Sequence, residues 1–317
     1  MDYEGVEMSQ EKINKLKENI AVKFVGKDSV ITNLITAFLA GGHVLIEDVP
    51  GVGKTTLAKA LAQSVDLGFS RIQFTPDTLP TDVVGTSIYN SDTSEFRIIK
   101  GPVYSSIVLA DEINRTSPKT QSALLEAMEE KQITIDGKTF ELPKPFMVIA
   151  TENPSEQIGT YPLPEAELDR FMMKLSIGYP AQEKELAKKY LDGIMDNDLT
   201  PVLTGKDIQE MMDQVRAVII KDELMDYAID IVSATRKREE LEYGLSPRAG
   251  LDLLMASKAR AYVMGRDYVI PDDIIDMAKV VLPHRMMMTT QAHMNKYTGK
   301  NLLVEVIDKL KRPGLPS

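Results

Sequence analysis

Val44-Leu45-Ile46-Glu47-Asp48-Val49-Pro50-Gly51-Val52-Gly53-Lys54-Thr55-Thr56 is the stretch on which the architecture turns. Its opening aliphatic run suits a strand buried on both faces, and the Gly-Val-Gly-Lys-Thr-Thr run that follows predicts a phosphate loop with a helix starting at Lys54. Gly51 and Gly53 let the backbone wrap a polyphosphate, so that successive N–H groups from Gly51 through Val52 to Thr56 point inward as an anion nest. Lys54 brings a point charge for the β- and γ-phosphates and Thr55 a hydroxyl for Mg²⁺. The helix N-terminus adds a partial positive charge. The strict pattern wants glycine where Asp48 stands. Aspartate tolerates a left-handed backbone better than most residues, which predicts that the turn survives there.

Working outward, further apolar runs of strand length alternate with helical segments: Arg71–Phe74, Ser106–Ala110 before a helix over Ser117–Glu130, and Phe146–Ala150. The alternation predicts an open α/β fold, a parallel sheet flanked by helices with ligand groups at the carboxyl ends of the strands. Upstream, Ser9–Ile20 reads as a surface helix, and a second helix capped by Asp28 or Ser29 runs to Leu39 and ends at Gly41-Gly42. Two segments read as hairpins. One pairs Thr86–Tyr89 with Phe96–Ile99; the other pairs Ile133–Ile135 with Thr139–Leu142 around Asp136-Gly137, a dipeptide suited to a type I′ turn. They are either decoration or working parts. Beyond Tyr179-Pro180 helical periodicity dominates over 183–191, 206–219, 223–236, 247–263 and 272–281. A nucleotide-binding core over 1–178 and an all-helical second domain over 179–317 are therefore expected.

Two further strand ends carry polar chemistry. Ile107-Val108-Leu109-Ala110 leads into Asp111-Glu112, where Asp111 is a candidate to hold Mg²⁺ through its water shell and Glu112 a candidate base for the attacking water. Standing alone, such a pair could equally cap the next helix. The strand ending at Ala150 continues as Thr151-Glu152-Asn153-Pro154; Asn153 either orients water near the γ-phosphate or starts a turn. His43 reads as structural, and Met286-Met287-Met288 as helical-domain core or a soft contact surface.

Composition narrows the classes. Lys and Arg number 37 against 47 Asp and Glu, giving a formal charge of −10 among 317 residues, and hydrophobic residues make up 43%. This is globular composition, and the acidic excess weakens the case for nucleic acid as the main partner. With no cysteine, thiolate metal sites and thiol nucleophiles are excluded. No apolar run approaches the roughly 18 residues of a membrane span, and the acidic start lacks a signal-like pattern, so a soluble, cytoplasmic protein is expected.

Together, Asp48–Thr55, Leu109–Arg115, Ala150–Pro154 and Gly159-Thr160-Tyr161-Pro162-Leu163-Pro164-Glu165-Ala166-Glu167-Leu168-Asp169-Arg170-Phe171 resemble MoxR-type AAA+ ATPases, and the likeness covers the chain from about Val25 onward. The resemblance implies ATP and Mg²⁺ as ligands and a helical lid. It implies Asn153 as sensor 1, Arg170 as an arginine finger reaching a neighbouring subunit, and Arg248 as sensor 2, in cis or across the interface. Val25 and Gly26 fall where the adenine is held. The hairpins correspond to a helix-2 insert and a pre-sensor-1 hairpin, and Arg115 could project into a subunit interface. Glu165, Glu167 and Asp169 could also hold Arg170 in a surface ion pair, and Arg248 could be a solvated lid arginine. Function then follows as a hexameric motor that remodels a protein client, with von Willebrand factor A domain partners or metal-cofactor insertion as usual themes. A nucleic-acid translocase or regulator, or a small-molecule P-loop kinase, are the alternatives. The non-basic hairpin loops oppose the first and the all-helical lid opposes the second.

Overall fold

The computed structural model describes residues 3–92, 94–154, 159–180, 182–194 and 197–314. Strands β1 (Val44–Glu47), β2 (Phe69–Gln73), β5 (Ile107–Asp111), β8 (Met147–Glu152) and β9 (Met173–Leu175) form a five-stranded sheet in the order β2-β5-β8-β1-β9. Every pairing in it is parallel. Alternation explains why these runs are apolar throughout. Leu45, Val108, Ala110, Val148 and Ala150 face one layer, while Val44, Ile46, Ile107, Leu109, Met147 and Ile149 face the other. β9, three residues long at the sheet edge, was not expected from the sequence, and β2 begins two residues earlier than the apolar run.

Helices α1 (Tyr3–Lys23), α2 (Asp28–Leu39) and α3 (Lys54–Ser64) cover the second face, and the short α4 (Pro80–Val84) and α5 (Pro118–Glu130) lie on the first. α1 is longer than its sequence pattern, and Ile13, Leu16 and Ile20 are fully buried, so this is a packed helix with one wet face rather than a surface appendage. α2 is capped by Lys27, whose side chain makes no capping bond; neither Asp28 nor Ser29 caps it. The hairpins are β3 (Gly85–Asn90) with β4 (Glu95–Lys100), and β6 (Gln132–Ile135) with β7 (Lys138–Glu141), each a separate antiparallel pair. Asp136 and Gly137 take φ of 46° and 76°, the left-handed pair that a type I′ turn demands. The hairpins touch: the Ser87 hydroxyl donates to Asp136, and Lys100 Nζ lies 3.4 Å from the Tyr104 ring centroid and 4.8 Å from that of Phe140.

After a short α6 (Glu165–Leu168) and β9, the chain is helical: α7 (Glu183–Leu191), α8 (Gly205–Ala217), α9 (Asp222–Thr235), α10 (Pro247–Val263), α11 (Pro271–Val281), α12 (Thr290–Met294) and α13 (Gly299–Lys309). From α8 onward these helices share one apolar cluster with the second face of the sheet, where Leu253, Met277 and Leu302 join Leu34 and Phe38, while α7 buries no side chain. Met286 and Met288 are buried in it, as lid core. Among the described residues no helix is long and apolar enough to cross a membrane.

His43 is structural. Its buried ring accepts the Val148 N–H at Nδ1 (3.0 Å) and faces the Met128 carbonyl through Nε2 (3.3 Å), which assigns the proton to Nε2. Burial pulls its pKa down to about 4 against the opposing pull of the carbonyl.

Candidate nucleotide site

The parallel sheet brings the carboxyl ends of β1, β5 and β8 side by side, with β8 between the other two. A cavity of about 360 Å³ opens there, lined by the loop at Gly51–Thr56 together with Arg71, Asp111, Glu112 and Asn153. Gly51 and Gly53 have φ of 83° and 93°, and a Cβ on Gly51 would meet nothing within 4 Å, so the loop is open toward the cavity. Thr55 and Thr56 begin α3 and line the cavity. The Val52 side chain is buried in the apolar cluster instead, so only its backbone is turned to the loop.

Lys54 Nζ donates to the carbonyls of Asp48 (2.5 Å) and Glu152 (3.0 Å). Burial lowers its pKa, opposed by Asp48, Asp111, Glu112 and Glu152. These carbonyl bonds hold the ammonium at the mouth of the loop, where phosphate oxygens could replace them as partners.

Asp48 departs from its expected reason. Its backbone is not left-handed. The side chain does the work: the buried carboxylate accepts N–H groups from Gly178 (2.7 Å) and Val49 (2.9 Å) and the Ser176 hydroxyl (3.0 Å). Burial pushes its pKa up, but these donors outweigh it and hold the group below the usual carboxylate range. The aspartate thus ties the loop to the exit of β9.

Asp111 and Glu112 sit in a network that local sequence did not reveal. Arg71 reaches Asp111 Oδ2 through Nη2 (2.6 Å) and Nε (3.2 Å). The Thr151 hydroxyl donates to Asp111 Oδ1 (2.6 Å) and accepts the Glu112 N–H (2.9 Å). Glu112 is left-handed, φ 58° and ψ 50°, an uncommon state for a non-glycine residue and one found often at functional sites. Its Oε2 accepts Gln73 Nε2 (2.9 Å) and Arg115 Nη1 (3.0 Å), so Arg115 is engaged within its own chain. Thr151 lay inside a quoted strand tip, and Arg71 and Gln73 on a strand whose end meets Asp111. Only the sheet order relates them to the acidic pair.

Val25 and Gly26 do not line this cavity, but they adjoin the loop through Phe24, whose ring would lie 2.4 Å from a Cβ on Gly26 and 3.5 Å from one on Gly53. Arg170 and Arg248 are not brought to the cavity either. Both pair with Glu129 on α5, Arg248 Nη1 at 3.1 Å from Oε1 and Arg170 at Oε2. Arg170 is held by Glu129, whereas Asp169 pairs with Arg285 and Glu167 accepts the Ser122 hydroxyl. Burial and the adjacent Arg248 both disfavour its charged form, opposed by Glu126.

The comparisons bear on the family and the fold. The family model described as "ATPase family associated with various cellular activities (AAA)" matches residues 43–173, and that described as "AAA lid domain" matches 233–305. Uncharacterized protein YeaC of Bacillus subtilis is 48% identical over 303 residues, covering 95% of each chain. Chaperone MoxR1 of Mycobacterium tuberculosis is 41% identical, covering 91% of this chain and 79% of that one. A crystal structure from Cytophaga hutchinsonii superposes with a TM-score of 0.90 at 39% identity over 97% of both chains. With a phosphate loop, an acidic strand end and a helical lid in one fold, the chain belongs to the MoxR family of AAA+ ATPases.

Proposed function

We propose that the protein is an oligomeric, Mg²⁺-dependent ATP-driven chaperone whose nucleotide is held by one protomer and cleaved with arginines of the next. The observation that carries this reading is the separation of charges. The cavity holds Lys54, Thr55, Asp111, Glu112 and Asn153, whereas Arg170 and Arg248 stand together on Glu129, outside its lining. Phosphoryl transfer needs cations at the γ-phosphate, and a paired set on another face suits delivery across a protomer contact.

In this reading the loop amides and Lys54 bind the phosphates, and Val25 and Gly26 border the adenine. Thr55 and Asp111 would hold Mg²⁺, which when bound neutralises charge on the phosphate oxygens. Among the described residues no group of three or more His, Asp or Glu side chains could cage a metal ion, which fits a cation bound largely through phosphate and water. Glu112, once freed from Gln73 and Arg115, would accept a proton from the attacking water, and Asn153 would orient that water. Arg170 would act as the finger and Arg248 as sensor 2, both in trans. The core would span 1–178 and the lid 179–317.

The client is proposed to be a protein. The name of the Mycobacterium tuberculosis relative supports a chaperone role, and the β3–β4 hairpin exposes Ile88, Tyr89, Phe96 and Ile99 as an apolar contact surface. A von Willebrand factor A domain partner and metal-cofactor insertion are the themes to examine first. Subunit mixing tests the reading. Arg170→Ala should bind ATP yet hydrolyse it poorly, and adding Glu112→Gln protomers should restore turnover at mixed contacts. Full turnover by an isolated protomer would overturn it. Glu112→Gln loaded with ATP is then the bait for identifying the client.

A further inference from the structure

The segment bearing Arg170 is anchored from behind by lid residues. Asp169 accepts the Ser246 hydroxyl at 3.4 and 3.3 Å to its two oxygens, and Arg285 Nη1 lies 3.2 Å from Asp169 Oδ1 as an ion pair. Nη2 of the same guanidinium donates to the Phe171 carbonyl at 2.9 Å and to Asp252 Oδ2, on α10, at 2.6 Å. His284 Nε2 meets that carbonyl as well, at 2.9 Å. The residues on both sides of Arg170 are thus tied to the lid, while Arg170 itself pairs with Glu129 on α5. The Arg285 side chain is 2% exposed. A guanidinium that far from water is retained only where its partners offset a large desolvation cost, and its planar fork fixes their relative orientation.

The phosphate loop is tied to the stretch of core that leads into the lid. Asp48 binds Gly178 and Ser176, at the exit of β9 toward the lid helices.

We propose that Arg285 is a positioning residue for the arginine finger: it fixes residues 169–171 to the lid, so that Arg170 is presented to the neighbouring protomer's phosphates at a place set by its own lid. The inference rests on the finger assignment above. A mere fastener between core and lid would disturb the protomer's own site. A positioning residue disturbs only the neighbour's.

The test uses the full chain carrying Arg285→Met or Asp169→Ala, with Arg170→Ala as reference. Each variant should lose about tenfold or more in kcat while nucleotide Kd stays within about twofold. Glu112→Gln protomers have intact fingers but no base, so adding them should raise the rate of either variant by about threefold or more, as for Arg170→Ala. The Arg170→Ala/Arg285→Met double variant should be no slower than Arg170→Ala alone. A kcat within about twofold of wild type overturns the proposal, and so does a loss that is not rescued while that of Arg170→Ala is. Should Arg170→Ala itself resist rescue, the finger assignment is what has failed. Asp169→Ala decides by the same criteria if Arg285→Met does not assemble.

Discussion

Arg71 Nη2 lies 2.6 Å from Asp111 Oδ2, so a cation carried on β2 occupies one oxygen of the carboxylate proposed to hold Mg²⁺. Arg71 and the metal compete for one charge, and Arg71 also adds positive potential beside it. Arg71→Gln should therefore lower the Mg²⁺ concentration giving half-maximal ATPase activity by about threefold. A Mg²⁺ titration at saturating ATP measures this, and an unchanged or raised midpoint contradicts it.

Thr151 bridges the acidic pair, accepting the Glu112 N–H and donating to Asp111. Thr151→Val keeps the shape and removes both bonds, leaving a left-handed Glu112 without its anchor. We expect kcat to fall about tenfold or more with little change in ATP affinity, and stability to drop by about 1–3 kcal/mol. Single-turnover kinetics with denaturant unfolding separate the two effects.

Asp48→Gly restores the strict phosphate-loop motif, yet it should weaken the protein. It removes a carboxylate that accepts bonds from Gly178, Val49 and Ser176, a loss of about 2–4 kcal/mol at neutral pH. Because the folded pKa of Asp48 is depressed, this advantage exists above the unfolded carboxylate value and disappears as pH falls through the folded one. Urea unfolding of the two proteins should diverge at pH 7 and converge in strong acid.

His43 is buried neutral, with its pKa lowered from 6.5 to about 4. Between these values the unfolded chain binds the extra proton, so stability falls as pH drops from the upper to the lower. The contribution reaches about 1.4 kcal/mol per pH unit. His43→Gln should flatten the unfolding curve in that window by about that slope, and the same slope in both proteins would refute the assignment.

Much of this was readable from residues adjacent in the chain. The phosphate loop, the Asp136-Gly137 turn and helix α10, found at Pro247–Val263 as its periodicity predicts, depend on local backbone preferences and short spacing. β9 was not readable, because three residues carry no period, and α1 ran past its pattern because helix ends lie where propensity alone decides little.

Residue identity alone established that this chain carries a loop for phosphate, an acidic strand end beside it and a helical second half, since each is a pattern of neighbours. The tertiary structure alone decided who holds whom. Arg71 finds Asp111 40 residues away, Arg248 finds Glu129 119 away, and Asp48 turned out to be a tether to Gly178 rather than a tolerated turn residue. Charge pairing acts through space and is blind to chain separation, so such partners are set by sheet order and helix docking and by nothing in the local sequence.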